Sequence, residues 1–358
     1  MNQPVVYFAV TSHGFGHAVR SAIIAAKLQQ LRPDIGIIFA TVAPEWLLKS
    51  YIKGDFIYHP SVFDVGVIQQ DSLTMDKETT LAKMQDIIDR EDEIIAREVE
   101  FIREHNVSLI LADIPALAVP IARAANIPCW MVSNFAWDFI YQHWGEKFAG
   151  VVSWLQNYYH CCDRTFRLPL HEPMSVFPNI TDVGLTGITS RHNREDLSRK
   201  FNLIKPQAKT ALLTFGGLGI EAIPYDNLQR FPDWQFIAFD RTAPDLPNLL
   251  KVTDDSYRPI DFMPLCSRVF SKPGYSTFSE ALYLDLPIIS LTREDFAEAE
   301  VLLDAIQNYS QHRIVSLSEF FAGNWDFLTQ NLLPPRLDNT LSKDGAETIV
   351  GEIANYCS

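Results

Sequence analysis

What this chain lacks removes whole classes of function. Its five cysteines, Cys129, Cys161, Cys162, Cys266 and Cys357, contain no C-x-x-C pair, and neighbours such as Cys161 and Cys162 rarely bridge each other. Reduced thiols are therefore expected, with neither a disulfide framework nor a zinc site. No stretch of about 18 to 20 apolar residues is free of charge, so no membrane-spanning helix is predicted. The first residues lead directly into the apolar run Val5 to Val10 without a basic segment before it, which reads as a first strand rather than a signal peptide and predicts a cytoplasmic protein. Positive charge is scarce: 30 Lys and Arg stand against 44 Asp and Glu, a net charge of -14. That balance argues against a protein holding nucleic acid or an anionic membrane mainly through its cations. There is no G-x-x-x-x-G-K-[ST] loop, no G-x-G-x-x-G after the first strand and no D-x-D triplet. A P-loop kinase, a dinucleotide dehydrogenase and a metal-chelating donor site thus have no candidate residues.

What is present is ordinary globular material, 47% hydrophobic and 21% charged over 358 residues, more than one core usually organises. Short β-branched runs alternate with helical patterns, the signature of parallel sheets covered by helices. Val5 to Thr11, Gly36 to Thr41, Ser108 to Ala112 and Pro128 to Ser133 read as strands. Ala18 to Leu31 and Pro115 to Ala125 read as helices. The charged stretch from Asp76 to Asn106 carries Met84, Ile87, Ile88, Ile94, Ile95, Val99 and Ile102 at helical spacing and predicts one long half-exposed helix with a solvated charged face. Between Leu168 and Arg194, Pro169, Pro173, Pro178, Gly184 and Gly187 break the pattern. A second βα series then runs through Thr210 to Phe215, Gln235 to Phe239, Leu249 to Val252, Arg268 to Ser271 and Leu286 to Leu291. The expected division is an N-terminal domain of residues 1–185, a second of residues 186–342, and a final helix within 343–358. There is no repeat at a solenoid period.

Several constellations sit at strand ends, where open parallel sheets gather ligands and helix N-termini favour anions. The first is Ser12-His13-Gly14-Phe15-Gly16-His17. Its glycines permit a sharp turn, and either imidazole can take a proton from a hydroxyl. The alternatives are a glycine turn whose histidines only bond backbone, or a zinc pair of His13 and His17, which the glycines oppose because that spacing needs a helix. Asp113 closes the strand Leu109 to Ala112 and can fix the tautomer of one histidine; capping the following helix is the other reading. In the second half, Ser271-Lys272-Pro273-Gly274-Tyr275-Ser276-Thr277-Phe278-Ser279-Glu280 suits a diphosphate at its backbone N–H groups, with Glu280 placed for ribose hydroxyls; simple capping by Ser and Thr is the alternative. Gly216 and Gly217, in Phe215-Gly216-Gly217-Leu218-Gly219, form either a second phosphate-facing loop or a tight βα turn. Glu294 and Asp295, after the strand ending at Leu291, either grip sugar hydroxyls or sit in a solvated loop. Trp137, Tyr141, Trp144 and Phe148 recur at helical spacing after Asn134, and read as core or, with Asn134 and Asp138, as an acceptor platform.

The 271–280 segment resembles the GT-B glycosyltransferases that use UDP-sugars, including the bacterial peptidoglycan N-acetylglucosaminyltransferase. That family carries a Ser-Gly-x-x-Thr-x-Ser-Glu run opening a helix, matched here by Gly274, Thr277, Ser279 and Glu280, with Pro273 replacing the leading Ser. The turn ending in Gly16-His17 is similar to the family's first loop, which makes His17 the better base and His13 an extra. The family has Gln and Asn where this chain has Glu294 to Glu298. A nearer likeness, over most of the chain, is to the N-terminal half of plant L-arabinokinases, through His13 to Ala18, Ser133 to Tyr141 and Arg167-Leu168-Pro169. The sugar kinase domain of those enzymes has no counterpart here, so no kinase activity is expected. The resemblance implies an α/β protein of GT-B type, two Rossmann-like doubly wound parallel-sheet domains facing a cleft, with ribose on Glu280 and diphosphate on the loop before it.

Retaining members often place a Glu eight residues before the ribose-binding one, and here that position is Lys272. The expectation is therefore an inverting, metal-independent transfer from a nucleoside diphosphate sugar, UDP-linked by resemblance, to a hydroxyl acceptor, with no separate cofactor, in a monomer or homodimer. An epimerase of UDP-N-acetylglucosamine type and a non-catalytic sugar-nucleotide-binding subunit are the alternatives.

Overall fold

The structure, a computed structural model, describes residues 3–69, 75–215, 223–322 and 324–358. These fall into two compact units, one made of the residues up to 186 together with those from 342 onward, the other of residues 187–341. Among the described residues no helix is long and apolar enough to cross a membrane.

The first unit is built on seven parallel strands: β1 (Val5–Val10), β2 (Gly36–Ala40), β3 (Ile57–His59), β4 (Val107–Asp113), β5 (Cys129–Ser133), β6 (Arg164–Arg167) and β7 (Ile180–Asp182). Their order is β3-β2-β1-β4-β5-β6-β7. Helices cover the sheet, so β1 and β4 are buried along almost their whole length, which is why they read as unbroken apolar runs rather than alternating ones. The second unit repeats the plan with β8 (Thr210–Thr214), β9 (Gln235–Ala238), β10 (Leu249–Lys251), β11 (Arg268–Ser271), β12 (Ile288–Leu291) and β13 (His312–Val315), ordered β10-β9-β8-β11-β12-β13. In both sheets the strand order reverses direction at one pair, β1 beside β4 and β8 beside β11. Outside the carboxyl ends of such a pair the connecting segments part and leave a crevice.

The sequence pattern misses β3, β6, β7 and β13, all three or four residues long. Three of them are sheet edges, and Arg164, Arg167, His312 and Arg313 dilute the apolar signal of β6 and β13. The stretch expected to hold only a boundary contains β7. The single long helix expected over 76–106 is two, Lys77–Asp89 and Glu91–Glu104, parted at Arg90, where φ is -109° and ψ 12°. Nor is its charged face wholly solvated. Glu98 is buried and accepts hydrogen bonds from Tyr7 Oη at 2.5 Å and Ser61 Oγ at 2.5 Å, with His59 Nε2 at 3.0 Å. Burial pushes this carboxyl up, but those partners outweigh it and hold it at about 2.

The final helix, Gly345–Tyr356, buries Ala346, Ile349, Val350 and Ile353 within the first unit. It packs along the helix Gly16–Leu31, where Lys27 pairs with Glu347 at 2.5 Å and Arg32 Nη1 donates to the Ala354 carbonyl at 3.1 Å. Its entry depends on close backbone contact. Leu185 N donates to Ser342 O at 2.8 Å, Gly345 N donates to Leu185 O at 3.1 Å, and a Cβ on Gly345 would lie 1.9 Å from the Gly184 carbonyl oxygen. Gly345→Ala is accordingly expected to destabilise the first unit by about 1–3 kcal/mol, the usual cost of overpacking. Urea unfolding followed by tryptophan fluorescence measures it, and an unchanged midpoint contradicts the packing described.

Candidate active site

At the first switch point the chain leaves β1 through a turn in which Gly14 adopts φ +62°, a conformation that costs glycine nothing. The helix Gly16–Leu31 then begins at once, setting His17 in its first turn. The parallel register places Val10 opposite Asp113, the last residue of β4, so two side chains 96 positions apart meet at one sheet edge. His17 Nδ1 lies 2.8 Å from Asp113 Oδ1, with the histidine 6% and the aspartate 1% exposed. Asp113 does not cap the next helix, which starts at Ala118 behind Leu117.

Arg20, one turn beyond His17, completes the cluster. Its Nε donates to Asp113 Oδ2 at 2.6 Å and its Nη2 to Oδ1 at 2.5 Å, a two-pronged grip on the carboxylate. Nη1 donates to Asn134 Oδ1 at 2.7 Å, Nη2 to Ser133 Oγ at 3.0 Å, and Ser21 Oγ to Asp113 Oδ2 at 3.1 Å. Burial would raise the Asp113 carboxyl, yet the Arg20 guanidinium and His17 more than offset it and hold it below the usual carboxylate range. In the tautomer whose Nδ1–H donates to the ionised Asp113, the lone pair of His17 Nε2 is the one that can accept a proton. Sequence reasoning missed Arg20. The signal was a lone guanidinium in the otherwise small and apolar segment Ala18 to Ala26.

A second carboxylate stands nearby and was also missed: Asp64, in the loop after the unread strand β3. It is 1% exposed and accepts from Thr11 Oγ1 at 2.6 Å and from Trp137 Nε1 at 3.0 Å. Burial pushes its carboxyl up to about 6, against the opposing pull of Thr11, His17 and Trp137. His13 turns to the same loop, its Nδ1 3.2 Å from Val67 O and its ring meeting Trp137 edge-on at 5.2 Å. The turn there requires glycine, since Gly66 has φ +59° and a Cβ would fall 2.4 Å from that of His13.

Of the residues expected to meet an acceptor, Asn134 and Trp137 are fully buried; they reach the cluster through Arg20 and Asp64 respectively. Asp138 is buried as well, accepts from Gln156 Nε2 at 3.1 Å, and has its carboxyl pushed up by burial. The aromatic run Trp137, Tyr141 and Phe148 forms core, with Tyr141 Oη donating to the Gly66 carbonyl.

At the second switch point, Ser271 at the end of β11 lies opposite Thr214 at the end of β8. Gly216 and Gly217 lie outside the described residues. The helix Tyr275–Tyr283 starts behind Gly274 with no side-chain cap, so Ser276 and Thr277 occupy its half-buried first turn rather than closing it. Glu280 is buried on the same helix, as is Tyr275. Burial, reinforced by Arg293 and opposed by Glu298, pushes the Lys272 amine down to about 7. Arg293 is buried, its guanidinium 4.2 Å from the Phe296 ring centre, and Glu298 is buried in the first turn of the helix Ala297–Tyr309. Glu294 and Asp295 are exposed. The segment was read for its charge, and the structure gathers Arg293 and Glu298 rather than their neighbours around Lys272.

Folding raises the Asp64 carboxyl, so its contribution to stability is complete below its ordinary value of 3.8 and is lost as the pH rises through about 6. Asp64→Asn should therefore gain on the unaltered chain by about 2 kcal/mol between pH 4 and pH 7. Paired urea titrations read the difference; a gap independent of pH contradicts the burial.

No family model matches the chain. L-arabinokinase of Arabidopsis thaliana is 27% identical over 335 residues, 90% of this chain but 31% of that protein, so the chain spans about a third of its relative's length. Among solved structures it is similar to CalG4, the calicheamicin glycosyltransferase, with a TM-score of 0.66 and 14% identity over 99% of this chain and 98% of that one. A UDP-glucose:anthocyanidin 3-O-glucosyltransferase solved with UDP gives 0.62 and 12% over 99% and 94%. A chain of Listeria monocytogenes assigned as a UDP-N-acetylglucosamine 2-epimerase gives 0.60 and 12% over 99% and 97%. The two sheets and their helices make this the GT-B fold.

Proposed function

We propose that the chain transfers a sugar from a nucleoside diphosphate sugar, UDP-linked, to a hydroxyl acceptor, with inversion and without a metal ion. The observation that carries the proposal is the buried Asp113–His17 contact at 2.8 Å, set at a switch point with Nε2 of the imidazole left to accept a proton. The sugar transferases among the fold's solved relatives, one of them a UDP-glucose enzyme bound to UDP, support the same reading.

In this reaction His17 Nε2 takes the proton of the acceptor hydroxyl, whose oxygen forms the new bond to the anomeric carbon. The bond from that carbon to the diphosphate oxygen breaks, and its electron pair leaves on the diphosphate. Lys272 and the first-turn N–H groups of the helix Tyr275–Tyr283 receive that charge, and Glu280 accepts from the ribose hydroxyls. Asp113 keeps the imidazole in the useful tautomer and stabilises it once charged. Glu294 and Asp295 hold sugar hydroxyls in this reading, and His13 is the alternative base.

The relative assigned as an epimerase supports a second reading, in which the donor is isomerised or hydrolysed. Donor consumption in the absence of any acceptor decides for it.

UDP present at 100 times its Kd should add about 2.7 kcal/mol to the unit that binds it, and Glu280→Ala should abolish the thermal shift. No shift with UDP, GDP, TDP or their sugars overturns the donor site. A Lys272 amine lowered to about 7 is mostly neutral at pH 8, so the arriving diphosphate should draw a proton onto it. Calorimetry at pH 8 in buffers of different ionisation heat is expected to show uptake approaching one proton per nucleotide, lost in Lys272→Met. Uptake that survives the substitution contradicts this role.

A further inference from the structure

We infer that Asp64 is the counter-ion of the His17 imidazolium, a positioning residue that holds the protonated base in a site where Asp113 is already committed to Arg20. The inference rests on His17 being the base. A proton taken by a side chain only 6% exposed creates a cation with little water to solvate it, which is costly unless a carboxylate answers it. Asp113 cannot answer it alone. Both of its oxygens accept from the Arg20 guanidinium, and Oδ2 accepts from Ser21 as well. Arg20 and Asp113 thus form a neutral pair, and a protonated His17 beside them leaves one positive charge unbalanced.

Among the described groups that face His17, the Arg20 guanidinium, with Nη2 2.9 Å from Nδ1, opposes a charge on the imidazole. His13 has its ring centre 6.4 Å away and is itself basic; Tyr141 is a phenol whose titration burial pushes far up, and it stacks on Trp137. Among the described residues, Asp64 is the second acid that interacts with His17. Two neutral donors, Thr11 Oγ1 and Trp137 Nε1, aim at its two oxygens, which stabilises an anion without cancelling it. The same Trp137 packs against the His17 ring at 6.1 Å, and Thr11 N donates to the Asp113 carbonyl at 2.8 Å, so one strand end and one indole tie both carboxylates to the histidine. Charge on Asp64 and charge on His17 favour each other.

The test is an imidazole NMR titration of the full chain labelled with 15N-histidine, His17 being assigned by its loss in His17→Gln. Asp64→Asn should lower the His17 pKa by one unit or more, a tenfold loss in proton affinity, while the histidines outside this cluster keep their shifts. Thr11→Val, which leaves the carboxylate in place but withdraws a donor from it, should lower the pKa by less. A His17 pKa unchanged in Asp64→Asn overturns the inference; should that variant fail to fold, an unchanged value in Thr11→Val overturns it instead. The titration needs neither donor nor acceptor, so failure of the transferase reading shows separately, as absence of nucleotide binding.

Discussion

The Asp113 carboxylate is the constraint on which the first unit's chemistry turns. It ends a strand buried on both sides, lies opposite the last residue of β1, and is met by His17 and Arg20 from the helix that β1 feeds. A buried anion is tolerated only when its lone pairs are occupied, and here Arg20, His17 and Ser21 occupy them. The guanidinium is in turn held by Ser133 and Asn134 from β5 and the residue after it. Strands β1, β4 and β5 are thereby linked at one sheet edge by hydrogen bonds as well as by their ladder. The position of the imidazole follows from that network.

The two units use one plan for opposite charges. In the first, the buried carboxylates Asp113 and Asp64 interact with the imidazole of His17. In the second, Lys272 and Arg293 gather at the ends of β11 and β12, with Glu298 as their counterweight, beside an uncapped helix start that favours an anion. A chain with a net charge of -14 thus gathers basic side chains locally where a diphosphate is proposed to bind.

Much of this was legible in the sequence because central parallel strands announce themselves. Val5 to Val10 and Leu109 to Ala112 are apolar without interruption, and glycine turns mark where Val5 to Val10 and Arg268 to Ser271 hand over to helices. His17, Asp113 and the 271–280 segment stand where those strands end, so their location could be read. Arg20, Asp64, Arg293 and Glu298 could not be assigned this way. Each matters because of burial, and a charged residue in a helix or loop looks solvated until the packing around it is known. Glu98 misled for the same reason. Edge strands were lost because, half exposed and short, they carry too few apolar residues to distinguish them from loops.

The central claim is that His17 is the base of a sugar transfer. The most direct measurement is acceptor-dependent UDP release from UDP-sugars by the unaltered chain and by His17→Ala, with donor affinity measured in parallel. The account predicts that the substitution lowers kcat by about 100-fold or more and leaves donor affinity within a factor of two, as removal of a general base requires. Release that continues undiminished without the imidazole would contradict it.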